Sequence, residues 1–222
     1  MKNYNLYKFT HIILIVLAIA SYFFGFYFDE NSAGAGGYDG DFQHIYNNLK
    51  IFLNNDLATS ISHSDYLDSR PPTSYILHEL LNPFVLDEIN FRRSVFIISL
   101  SIPVLFYFCL KKKFRDYENL ALILISCTIF LSPYFRTTAY WGLQENYGYI
   151  FLLLTFLSLS FLDKENNNFK FNIYFKLLTL IFFSSACIYF DQKLLIIPII
   201  CFLKIILSKI PMQFKIFSSF CY

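Results

Sequence analysis

The sequence predicts an all-α polytopic membrane protein, and three observations carry that prediction. The chain of 222 residues is 56% hydrophobic and only 15% charged, 21% of it is aromatic, and six apolar stretches come near the length of a bilayer span. Ordinary soluble domains are about 45–50% apolar and about 25% charged, so a soluble globular enzyme is excluded, as are a disordered chain and a disulfide-stapled module. The net charge of +2 leaves no electrostatic footprint for nucleic acid, and none is expected as a partner.

A hydrocarbon core about 30 Å thick takes roughly 17–25 mostly apolar residues per helix, because backbone polar groups cannot stay unpaired in it. The stretches run approximately over His11 to Phe28, Ser94 to Leu110, Asn119 to Pro133, Tyr147 to Leu162, Ile173 to Phe190 and Leu194 to Ile210. About six transmembrane helices are therefore expected. The third stretch needs its flanks to span, and the sixth carries Pro198 and Lys204, which predict a kink and a snorkelling lysine. The first follows Lys2 and Lys8 as a signal peptide would. Its run is long and aromatic, however, and ends in Phe28, Asp29 and Glu30 without a small-x-small cleavage site, so it reads as an uncleaved helix.

Charge sets the expected orientation. With the N-terminus cytoplasmic, 12 of the 18 Lys and Arg lie toward the cytoplasm, and the remaining six are Lys50, Arg70, Arg92, Arg93, Arg136 and Lys193. The run Lys111, Lys112, Lys113, Phe114, Arg115 fixes the second and third helices most firmly. The expected protein is thus a single membrane domain over 1–222, integral to a membrane of bacterial inner-membrane type. Residues 29–93 form a first extracytoplasmic loop and 134–146 a second. Cys109, Cys127, Cys187, Cys201 and Cys221 lack paired spacing and read as small core residues.

The first outer loop holds 10 of the 16 acidic residues. Phe42, Ile45, Tyr46, Leu49, Phe52 and Leu53 recur at helical spacing, with Gln43, His44, Asn47, Asn48 and Asn54 mostly off the stripe, which predicts an amphipathic interfacial helix. Its start is glycine-rich: Gly34, Gly36, Gly37, Tyr38, Asp39, Gly40, Asp41. Asp39 or Asp41 can cap the helix. Crowding them near Asp29 and Glu30 at a membrane boundary is nevertheless costly unless they bind a cation, a proton or a polar substrate. A carboxylate so placed can also take a proton from a hydroxyl.

Further along, Pro71 and Pro72 set an extended entry to a second short interfacial helix with Ile76, Leu77, Leu80 and Leu81. His63, Asp65 and Asp68 lack a second close histidine and read as an ordinary polar loop more readily than as metal ligands. Arg70 at the interface suits either a lipid headgroup or a substrate phosphate. In the second loop Trp141 and its tyrosines fit an aromatic belt. Arg136, Gln144, Glu145 and Asn146 do not fit a belt, and beside the first loop they predict a polar pocket at membrane depth.

These residues together resemble the N-terminal half of membrane glycosyltransferases of the GT-C fold, over about residues 10 to 165. Tyr38, Asp39, Gly40, Asp41, Phe42, Gln43, His44, Ile45 is similar to that family's acidic motif after the first helix. Arg70, Pro71, Pro72, Thr73, Ser74, Tyr75 is similar to its Pro-Pro-x-x-Tyr element, and Arg136 through Glu145 to its second-loop arginine and acid. The Asp-Gly-Asp spacing departs from the commoner adjacent acidic pair, so either aspartate can match. Family members are usually longer, and the chain is expected to be a fragment, a truncated copy or a minimal relative.

The resemblance implies transfer of a sugar from a polyprenyl-phosphate donor to an acceptor at the extracytoplasmic face. Asp39 or Asp41 would be the base, Arg70 and Arg136 would hold the donor phosphate, and Glu145 with Asn146 would orient sugar or acceptor. A divalent metal ion on the aspartates is allowed and not required. Two other readings stand beside it. A transporter or flippase-like subunit would need ionisable residues in mid-span, and a non-catalytic membrane partner would use the outer loop to dock a protein.

Overall fold

The computed structural model describes residues 2–31, 37–68, 70–162, 170–208 and 211–221. Among the described residues every regular element is a helix, and there is no strand. Three helices among the described residues are long and apolar enough to cross a membrane: Leu6–Tyr27, Glu88–Lys113 and Ile173–Phe190. A fourth span results if the bent pair Asn119–Leu131 and Pro133–Tyr140 counts as one. The chain forms two compact units, Met1–Asn146 and Tyr147–Tyr222.

In the first unit α1 (Lys2–Tyr27) ends where Asp29 takes a left-handed conformation, with φ at 50°. The Glu30 N–H then reaches the Gly25 carbonyl at 2.8 Å and the Asp29 N–H the Phe26 carbonyl at 3.3 Å, a Schellman closure. Glycine usually fills that position; here Arg92 donates to the Asp29 carboxylate at 2.6 Å and offsets the backbone cost. A π-helical turn, Gly37–Phe42, leads into α2 (Gln43–Asn54). Ile45, Tyr46, Leu49 and Phe52 of the expected stripe are buried, and Phe42 just before them is fully so. The stripe faces protein: Phe42 and Tyr46 stack toward Phe91, and Phe52 stacks on Tyr75 at 5.3 Å. Removing such side chains from water stabilises by about 1.5–3 kcal/mol each.

After α3 (Leu57–Ile61), capped by Asp56, comes α4 (Thr73–Leu81), entered through Pro71 and Pro72. α5 (Glu88–Ser99) and α6 (Ser101–Lys113) follow as one span with an irregularity at Leu100. Pro103 explains it, since it lacks the N–H that would bond to the Ser99 carbonyl. α7 (Asn119–Cys127) tightens into a 3-10 turn, Thr128–Leu131. At Ser132 the chain turns through 68° into α8 (Pro133–Tyr140), with Pro133 in its first turn and the Ser132 hydroxyl accepting from the Phe135 N–H at 3.4 Å. Tyr22 is the hub of this unit's aromatic core, stacked on Phe96 and Phe135 with its hydroxyl 2.6 Å from Ser99 Oγ.

The second unit holds α9 (Glu145–Leu162) from Tyr147 onward, α10 (Lys170–Phe190), a 3-10 turn at Gln192–Leu195, α11 (Ile196–Leu207) and α12 (Met212–Cys221). Phe151 stacks on Phe190 at 5.3 Å, and Leu177, Leu180, Cys201 and Ile205 form a core. Pro198 falls in the first turn of α11, where its missing N–H costs little, and Lys204 is exposed. All five cysteines are free thiols.

Candidate functional site

The two stretches read as outer loops pack together within the first unit. Arg70 Nη1 lies 3.6 Å from Glu145 Oε1, and Ser74 Oγ donates to Gln144 Oε1 at 2.7 Å. Arg92 Nε donates to the Tyr140 carbonyl at 2.9 Å, and Trp141 Nε1 to the Glu30 carbonyl at 3.2 Å. Each contact joins residues far apart in sequence, so the meeting is a product of the fold.

Arg70 is held from one side by Asp68. One carboxylate oxygen accepts both the Arg70 backbone N–H and Nε–H, each at 3.0 Å, and the other accepts the Tyr75 hydroxyl at 2.5 Å. Burial alone would raise the Asp68 carboxyl, but these donors and the guanidinium charge outweigh it and hold it below the usual carboxylate range. The Asp68 side chain is 3% exposed and that of Arg70 28%, so the cation has a fixed root and a partly open head. A charge-assisted clamp of this kind fixes the guanidinium plane, and the Nη side is turned toward Glu145 and solvent.

Arg136, on α8, has a different setting. Its Nη2 pairs with Glu30 and donates to the Ser21 carbonyl at 2.7 Å, while Nη1 donates to Ser21 Oγ at 3.0 Å. Its Nε is buried without a hydrogen-bond partner among the described residues. Gly25 makes room for this bridge, since a Cβ there would collide with Arg136 Nη2, Glu30 Oε2 and the Tyr140 hydroxyl. Asn146 is buried, accepting from Thr138 Oγ1 at 3.3 Å and donating to the Leu143 carbonyl at 3.5 Å. Arg70 and Glu145 are thus brought together, and Asn146 sits beside Glu145 in sequence on the same helix start.

Of the two candidate bases, Asp41 is exposed, and among the described residues no ion pair reaches it. The Asp39 side chain and residues 32–36, with Gly34 and Gly36, lie outside the described residues. Among the described residues no group of three or more His, Cys, Asp or Glu could hold a metal ion. The His63 imidazole and the Asp65 carboxylate approach only to 4.0 Å, and His63 Nδ1 accepts the Asp65 backbone N–H at 3.2 Å. A cavity of about 420 Å³ lies on α1, lined by Ala20, Phe23, Phe24, Phe26 and Tyr27, and takes in none of the six candidate residues.

The belt reading of Trp141 needs correction. The ring is 3% exposed, with the Arg92 guanidinium 4.0 Å from its centroid, so it is an interior packing residue and not a headgroup anchor. Sequence reasoning also missed Asp68 as the partner of Arg70. An Asp two residues before an arginine and a Pro-Pro pair is an Asx-turn signal, and that was the available clue. Glu30 was missed as the partner of Arg136, although an acid crowded at a helix end called for a cation. No family model, curated protein or solved structure matches this chain.

Proposed function

We propose that the protein is a membrane-embedded glycosyltransferase that moves a sugar from a polyprenyl-phosphate donor to an acceptor at the extracytoplasmic face of a bacterial inner membrane. In this reading six spans carry the chain, with the N-terminus cytoplasmic. One observation supports it above the others: the first-loop cation and second-loop carboxylate meet, Arg70 Nη1 at 3.6 Å from Glu145 Oε1. A lipid phosphate is a leaving group that needs little protonation, so a positioned guanidinium and one base suffice for the chemistry. Arg70 binds the donor phosphate with its outer nitrogens while Asp68 holds Nε. Glu145 and Asn146 orient the sugar or acceptor. Asp39 or Asp41 takes the acceptor hydroxyl's proton, and Arg136 joins the phosphate only by exchanging Glu30.

A second reading, a non-catalytic membrane partner, is favoured by the exposure of Asp41 and by the internal pairing of Arg136. Sugar transfer in vesicles separates the two. The transferase reading expects Arg70→Gln to reduce transfer by about 10²-fold or more, whereas the partner reading expects no transfer by the parent chain.

A further inference from the structure

We infer that the turn joining α4 to α5, with the leucines before it, is a lipid-inserted wedge seated at the boundary of headgroups and acyl chains. The inference rests on the membrane reading of the span Glu88–Lys113 and not on the transferase reading. Leu80, Leu81 and Leu86 are 71%, 74% and 84% exposed, and Phe84 and Ile89 are also exposed. A contiguous apolar patch of this kind on a soluble surface marks a contact with something apolar.

These side chains are held outward by a rigid turn. The Phe84 N–H donates to Asn82 Oδ1 at 3.0 Å, and Asn82 Nδ2 donates to Ser94 Oγ at 2.8 Å and to His78 Nδ1 at 3.0 Å. Val85 is buried, and its carbonyl accepts from the Tyr46 hydroxyl at 3.1 Å. Val85 is turned in, while its neighbours Phe84 and Leu86 are exposed. The turn cannot hide them by collapsing without breaking these bonds.

Continuity with the span identifies the occupant. Ile89, Arg93, Ile97, Val104 and Phe108 are exposed and recur at helical spacing along one face of Glu88–Lys113, so the patch continues into the lipid-facing side of that span. The span has 26 residues, and at about 1.5 Å each it exceeds a hydrocarbon core of about 30 Å. With Lys111, Lys112 and Lys113 at one headgroup layer, the Glu88 end reaches the other. Arg93 lies at the depth of phosphates, and the turn lies beside it. The charged groups around the patch are Glu79, Asp87 and Glu88 on the acidic side and, on the basic side, exposed Arg93 and Lys50, the latter paired to Glu88 at 3.5 Å. Three acids against two cations leave no net positive charge to draw anionic lipid, so the contact is with acyl chains and glycerol, and zwitterionic lipid suffices.

Fluorescence quenching tests this with the full chain in phosphatidylcholine vesicles. Leu86→Trp and Phe84→Trp alter exposed side chains, and Phe108→Trp on the span is the control for insertion. The native Trp141 is buried and supplies the background. Phosphatidylcholine brominated near the top of its acyl chains is expected to quench Leu86→Trp and Phe84→Trp about twofold or more beyond the parent, with aqueous iodide quenching little. Strong iodide quenching without bromolipid quenching, while Phe108→Trp is quenched by deep bromines, would overturn the wedge and leave the span intact. Protection from both quenchers would overturn it too, by showing a protein contact over the turn.

Discussion

Asp68 grips Arg70 at two points, its Oδ1 taking the arginine's backbone N–H and its Nε–H at 3.0 Å each. That grip matters because Arg70 is also the residue that reaches Glu145, at 3.6 Å, and so ties the Pro-Pro element to the start of α9. A cation free to rotate would lose entropy on meeting either an acid or a substrate anion; this one has already lost it on folding.

Asp68→Asn removes the charge from a buried acceptor of three donors. It should destabilise the protein by about 1.5–3 kcal/mol in detergent denaturation. Tyr75→Phe removes one of the donors, so the double variant should fall short of the sum of the two singles by about 1 kcal/mol. Additive losses would show that the Tyr75 hydroxyl and the carboxylate do not act together.

Gly25→Ala should lower stability by about 1–3 kcal/mol, measured as the same denaturation midpoint. Helix preference alone favours alanine by about 1 kcal/mol, so a gain in stability would mean that the Arg136–Glu30 bridge does not press on α1.

His78 is buried beside Phe91, and burial pushes its imidazole down to about 4. Its Nδ1 accepts from Asn82, which also requires the neutral ring. In the unfolded chain the group titrates near 6.5, so between about pH 6.5 and 4 the unfolded state binds more protons and stability falls as pH falls. The loss should be about 2 kcal/mol at pH 5 relative to pH 7.5. His78→Gln should flatten that part of the profile. Asp68 titrates only below the usual carboxylate range and does not contribute at pH 5.

Leu49→Ala, in the buried stripe of α2, should cost about 2–5 kcal/mol, whereas Asn47→Ala on its exposed side should stay within about 0.5 kcal/mol. Equal effects would mean that α2 lies on lipid with no protein beneath it.

Much of this was legible in the residues, and the rest was not for physical reasons. The stripe of Phe42, Ile45, Tyr46, Leu49 and Phe52 gave the helix and its buried face, because burial and helical period are local properties. What covers the stripe is a tertiary fact, so an interfacial surface was expected where Phe91 and Tyr75 stand. The meeting of the two loops was anticipated from the expectation that both lie on one side of the membrane, but the pairing was not. Arg136 on Glu30 and Arg92 on Asp29 are the cations that two of the crowded acids called for, and they come from the chain itself; Arg70 on Asp68 is a further pair outside that cluster. Trp141 reads as a belt residue by composition, and only the packing of Arg92 against it reveals an interior one.

The transferase proposal is tested most directly by reconstituting the chain in vesicles with a panel of polyprenyl-phosphate sugars and following label into acceptor. It predicts transfer from at least one donor, reduced about 10²-fold by Arg70→Gln and by Asp39→Asn or Asp41→Asn. Folded protein that transfers from none of them, or whose transfer survives all three substitutions, would contradict it.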